Sequence, residues 1–373
     1  MEEVLKNTGL ENEEYVINMG PQHPSTHGVL RLVVSLKGEI VQSVQPHIGY
    51  IHRGIEKMCE SITYQQVIHL TDRMDYLSAH INNEAVCLAV EKALGIEVSD
   101  RVKYIRTILS ELTRIQSHQL FWASFGMDLG GLTCFFYGLR DREHVLDIFE
   151  ESCGGRMIVS YNTPGGLMND IHPNFQKRTK EFIKYFRKTL PEYDRLLTGN
   201  VIFQARTKGL GVVNREQAIA WGMTGPVGRA AGFSCDVRKH NPYSAYDKVA
   251  FNEILYDEGD TFHRYKVRMD EMWESMNIIE QLIDNIPEGA YAEKMKPVIK
   301  LPEGEYFQSV ETARGELDVH IVSDGNKNPY RVKFRSPNFV NLAPLNLMSK
   351  GSKIADLVAI SGSLDLVIPD IDR

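Results

Sequence analysis

Apolar residues recur at steps of three and four through the middle of the chain and alternate with polar ones near both ends. From about Thr63 to Leu94, the residues Val67, Leu70, Met74, Leu77, Ile81, Ala85 and Leu88 keep to one helical face, and Gly95 supplies a stop. Asp72, Tyr76 and His80, spaced by four, share another face, which reads either as a solvated face or as one that handles protons. A break is expected near Asp72–Arg73. Ser99 or Asp100 caps the next helix, with Val102, Ile105, Leu109, Leu112 and Ile115 as its stripe and His118 near its end. Arg140 to Ser152 reads as a helix stopped by glycines, and Asn174 to Thr189 as a basic amphipathic one. Asn214 and Gln217 make a capping-box signal. Thr224 to Gly232, with three glycines and Pro226, reads as a loop. The clearest helix is Thr261 to Ile286, where Tyr265, Met269, Met272, Met276, Ile279, Ile283 and Ile286 form a bundle seam.

Strand signals lie at the two ends. Val29 to Leu36 alternates, and Glu39 to Val44 can pair back on it through a turn at Lys37–Gly38. Leu317 to Ser323 and Tyr330 to Phe334 alternate near the other end, followed by an apolar helix-like run and then Asp365 to Arg373. The fold class is therefore α+β: a helical bundle with small β elements on either side. The expected units are a polar arm over 1–14, a β region over 15–60, the bundle over 61–300 and a β/α region over 301–373 that packs back on it.

With 42 basic and 49 acidic residues among 373, the net charge of -7 argues against a nucleic-acid partner. The five cysteines, Cys59, Cys87, Cys134, Cys153 and Cys235, form no C-x-x-C pair, so neither a disulfide framework nor a cysteine metal site is signalled. A reducing compartment is the simplest inference. The acidic first residues do not read as a signal peptide, and no apolar run approaches the ~20 residues that span a bilayer. A role at a membrane would require another subunit as the anchor.

Three stretches carry candidate chemistry. In Met19 to Leu30, His23 and His27 stand four apart among Pro21, Pro24 and Gly28, in a loop at the mouth of the first predicted strand. Imidazoles titrate near pH ~6.5, so either histidine is a possible proton donor; alternatively, both merely satisfy backbone groups in a turn. Pro46 to Gly54 is a second loop crowded with glycine and histidine. In Phe125 to Gly131, Asp128 lies among glycines and apolar residues; if buried, it must be paired or protonated.

Five separated blocks together resemble one family. They are Gly20 to Arg31, His47 to Lys57, Arg73 to Leu77, Glu311 to Leu317 and Asp370 to Arg373. In this order they are similar to the D-type subunit family of NADH-quinone oxidoreductase, the hydrogenase-like component of respiratory complex I. The resemblance extends from about Tyr15 to Arg373 and implies the fold of nickel–iron hydrogenase large subunits. Those enzymes hold their metals with two C-x-x-C pairs. Here Arg73 and Tyr76 stand at the first pair, and Ser363 to Ile368 replaces the second. The resemblance thus implies a metal cavity emptied of its ligands, with no metal or cluster on this chain.

It further implies that a quinone substrate occupies the cavity, with His27 and Tyr76 hydrogen-bonding its carbonyls and Asp128 partnering His27. Arg53 and His118 are implied to lie beside the terminal iron–sulfur cluster of a neighbouring subunit. His23 receives no role beyond a structural one. Other clusters and flavin would reside on partner subunits, which include homologues of the C-type subunit and of the membrane-embedded H-type subunit. The chain would sit peripherally on the cytoplasmic side of a bacterial membrane, in a proton-pumping complex. A related complex fed by ferredoxin or reduced deazaflavin remains open, and a hydrogenase subunit or a pure scaffold fits less well.

Overall fold

A computed structural model describes residues 14–373. Most of the polar arm expected over 1–14 lies outside the described residues. The described chain holds two hydrophobic cores. The larger belongs to the helices. Its axis is Asp100–Asp128 (α3 below), capped by Ser99, whose hydroxyl accepts from Val102 N at 3.3 Å. Around it stand α1 (Tyr64–Thr71), α2 (Ala79–Leu94), α4 (Leu132–Cys153), α5 (Phe175–Tyr193) and α6 (Thr261–Ile283). The methionine seam of α6 is buried against the bundle as the spacing requires. Among the described residues no helix is long and apolar enough to cross a membrane.

The smaller core joins the N-terminal sheet to later helices. Its strands β1 (Glu14–Met19), β2 (Arg31–Lys37) and β3 (Ile40–His47) are antiparallel in the order β1-β2-β3. Leu32, Val34 and Leu36 point inward from β2, against the side that carries α7 (Ile354–Ser363) and α8 (Ile368–Asp372). A second antiparallel sheet, β4 (Gly304–Thr312), β5 (Gly315–Ser323) and β6 (Arg331–Arg335), covers the bundle. In β5, Leu317, Val319 and Ile321 alternate inward.

Two expectations need correction. The helix break is real but longer than foreseen, running from Asp72 to Ser78 between α1 and α2. Asp72, Tyr76 and His80 therefore share no helical face, and the face is not solvated: Asp72 and His80 are 0% and 1% exposed. Thr224 to Gly232 is not simply a loop. It contains a short buried helix, Gly225–Arg229, with Pro226 in its first turn. Gly225 has φ +65, and a Cβ there would lie 2.4 Å from Arg314 O, so backbone contact decides the residue.

Candidate functional site

The histidine loop links β1 to β2 through a short 3-10 turn, Pro24–Thr26. His23 caps that turn by accepting from Ser25 N at its Nδ1, 3.2 Å away, which is a structural role. His27 ends it in the left-handed conformation (φ 51). Thr26 Oγ1 bridges the turn to the carbonyls of His23 and Gly28, at 2.8 and 2.9 Å. Held this way, His27 directs Nε2 at Asp128 Oδ2, 2.5 Å distant. Asp128 is the last residue of α3 and its side chain is 5% exposed. Burial opposes charge on His27, but the hydrogen bond and charge of Asp128 outweigh it, and the pKa is raised. The negative end of the α3 dipole favours the same imidazolium.

A cavity of about 630 Å³ opens nearby. Tyr50 to Arg53 form one wall, Arg73 and Tyr76 come from the helix break, and Met157, Ile158 and Pro369 complete it. Arg53 Nη2 donates to Arg73 O at 2.9 Å, joining two sides of the rim. The 49–52 turn is fastened from outside: Gly49 N and Ile51 N donate to the two oxygens of Asp372 at 2.7 and 3.0 Å. Burial holds the proton on the Tyr76 phenol by raising its pKa, against the pull of Arg314.

The cavity wall includes Tyr76 and Arg53 but not His27, Asp128 or His118. His27 meets the same region from behind. Gly28 packs on Ile368, where a Cβ would lie 2.7 Å from Cγ1, and Pro369 beside it lines the cavity. Arg314 connects the two sides electrostatically. It donates to Asp75 Oδ2 at 3.2 Å, to Ser117 Oγ at 2.8 Å and to Asp365 Oδ1 at 3.1 Å. The charges of Arg314 and Asp365 act on both Tyr76 and His27.

His118 does not line the cavity. It is 0% exposed, and its Nε2 donates to Glu271 Oε2 at 2.9 Å inside the bundle.

Residues 128–373 match the family described as the 49 kDa subunit of respiratory-chain NADH dehydrogenase. A fused C/D-type subunit of the NADH-quinone oxidoreductase of Bacteroides thetaiotaomicron is 61% identical over 97% of this chain and 68% of the relative. The D-type subunits of the NADH-quinone oxidoreductases of Desulforamulus reducens and Geobacter metallireducens are each 47% identical, over 97% of this chain and 99% of their own lengths.

The chain belongs to the 49 kDa subunit family.

It is accordingly a component of an oxidoreductase complex. Arg73 and Tyr76 line the cavity, Asp365 accepts from Arg314, and Ile368 packs on Gly28. Among the described residues no three His, Cys, Asp or Glu side chains converge as a metal site. Burial pushes the Cys59 and Cys134 thiols up to about 12 and 11. Sequence reasoning missed Arg314 and Asp365 as site residues. Their signal was present, since one lies in the Glu311 to Leu317 block and the other in the Ser363 to Ile368 segment singled out above.

Proposed function

We propose that this subunit forms the quinone headgroup site of a proton-pumping NADH-quinone oxidoreductase. The observation that carries the reading is Tyr76. Its phenol borders a cavity of about 630 Å³ and shares the field of Arg314 and Asp365 with the His27–Asp128 pair. Quinone reduction takes two electrons and two protons. The electrons come from an iron–sulfur cluster on a neighbouring subunit, which approaches the Arg53 side of the cavity. Negative charge growing on quinone oxygens in a poorly hydrated site is costly, so protons must arrive with the electrons.

Tyr76 donates to one carbonyl and His27 to the other. The 20–30 loop must swing His27 from Asp128 toward the cavity for the second contact. Loss of the His27 proton leaves Asp128 uncompensated. That imbalance is the electrostatic signal passed to membrane subunits, among them the homologue of the H-type subunit. The C-type homologue and the cluster-bearing subunit pack beside this chain on the cytoplasmic face of the membrane.

Tyr76→Phe tests the proposal in the assembled complex. Quinone reductase turnover should fall by roughly 10²–10⁴-fold, the usual worth of a positioned acid. NADH oxidation by a water-soluble artificial acceptor should continue, because the upstream electron path is intact. Normal quinone turnover would remove Tyr76 from the proton-donor role.

A further inference from the structure

Arg229 lies at the centre of a quartet sealed from solvent. Its Nη1 donates to Glu311 Oε1 at 2.7 Å and its Nε to Glu271 Oε1 at 3.1 Å. Glu271 in turn accepts from His118 at its other oxygen, 2.9 Å away. Arg229, Glu311 and His118 are 0% exposed and Glu271 is 2% exposed. The four come from separate elements: the Gly225–Arg229 helix, β4, α3 and α6. One guanidinium therefore faces two carboxylates.

The neighbouring charges do not correct the mismatch. Arg114 and Arg238 are matched by Glu111 and Asp236. Ser275 and Tyr246 add only neutral hydroxyl donors to Glu111, and Tyr243 adds a neutral acceptor for Glu311 N. Arg268 is spent on the carbonyls of Arg264, Ser363 and Leu364 and on Asp365 at 3.7 Å; Arg314 pairs with Asp75 and Asp365. With a neutral His118, the quartet carries one uncompensated negative charge. A charge so sealed is relieved most cheaply by a proton.

We propose that the His118–Glu271–Arg229–Glu311 quartet is a buried proton-binding site, holding one proton with two alternative seats, the Glu311 carboxyl and the His118 imidazole. The second seat is open. His118 Nδ1 is buried and has no hydrogen-bond partner, while Nε2–H already faces Glu271. Glu271 is not a seat: burial disfavours its charge, but Arg229 and His118 outweigh this and hold it well below the usual range. Burial, with Asp236 adding to it, brings Glu311 up to about 7 against the pull of Arg229, so Glu311 fills first. At His118, burial comes first, and Arg268 and Arg114 add to it; together they outweigh Glu271 and lower the pKa.

Arg268 joins this site to the cavity. Its Nε is 3.7 Å from Asp365 Oδ2, and its charge acts on both Glu271 and His118. Deprotonation of His27 beside Asp365 then favours proton uptake in the quartet. This link rests on the quinone reading; the proton site does not.

Infrared difference spectra of the intact complex, recorded across pH 7 with ¹³C-labelled glutamate, test both. The expected result is a protonated-carboxyl C=O band that shifts with the label and is lost in Glu311→Gln. Glu311→Asp, which keeps a carboxyl, should remove the label-sensitive band even if the glutamine variant fails to assemble. No label-sensitive band in the wild type, or a band that survives both substitutions, overturns the site. A band that responds to pH but not to quinone reduction overturns only the link to the cavity.

Discussion

Asp128→Asn separates the charge of the His27 partner from its shape. Asparagine keeps the length and an acceptor oxygen, so the contact now 2.5 Å long can persist as a neutral hydrogen bond. What goes is the assistance of a full negative charge. Hydrogen bonds to charged groups contribute about 1.5–3 kcal/mol against about 0.5–1.5 for neutral ones, a difference of about 1–1.5 kcal/mol. Both side chains are mostly buried, 19% and 5% exposed, so solvent screening removes little of it. Among the loop's side-chain hydrogen bonds this is the long-range one, the others being short-range bonds of Thr26 and His23.

Amide hydrogen exchange over residues 20–30 in the assembled complex is therefore the assay. Protection in the variant should fall about fivefold to tenfold, following about 1.4 kcal/mol per factor of ten. The pH dependence carries a sign. The folded pKa of His27 is raised, so the pair's contribution is fully present below the unfolded value near ~6.5 and is lost as pH rises through the folded value. The wild-type advantage must accordingly shrink with increasing pH. Unchanged protection, or an advantage that grows with pH, would refute the reasoning.

Gly28→Ala should cost well over the ~1 kcal/mol of an ordinary glycine change, since φ is +150 and the Cβ would meet Ile368; protection of the 20–30 loop should fall with it. Asp370 is brought up to about 6 by burial first and then Asp75, so its charge weakens the folded state increasingly from pH ~4 to about 6. Exchange of residues 366–373 should then be slower at pH 5 than at pH 7 after correction for intrinsic rates, and Asp370→Asn should flatten that dependence.

The helices were legible because their signal is local. The stripe of α6 and the serine cap of α3 are written in residues three or four apart, and burial follows them. The β1 and β4 strands were not read as strands, because their own burial pattern is weak. Tyr15 and Val16 in β1 and Phe307 in β4 face outward, and each strand is defined by its partner's register. Tyr76 was assigned to a helical face because a spacing of four assumes a continuous helix. The Asp72–Ser78 break frees it to line the cavity, and that break owes its shape to distant groups, such as Asp72 accepting from Ser160 N at 2.9 Å.

Segment 362–373 explains why the site as a whole escaped local reading. A Cβ at Gly362 would stand 3.5 Å from Asp128 Oδ2, the oxygen that holds His27. Asp365 accepts from Arg314, Ile368 seats Gly28, Pro369 enters the cavity wall and Asp372 fastens the 49–52 turn. Every one of these partners is remote in sequence, so no window of residues contains the pairing. Short loops and single ion pairs would leave the two walls independent of each other. A single segment touches both instead, and the proposal above has a charge change at His27 load the segment that frames Tyr76. The coupling proposed for this subunit therefore needs no long relay to begin: its first step is within one stretch of packed, ion-paired chain.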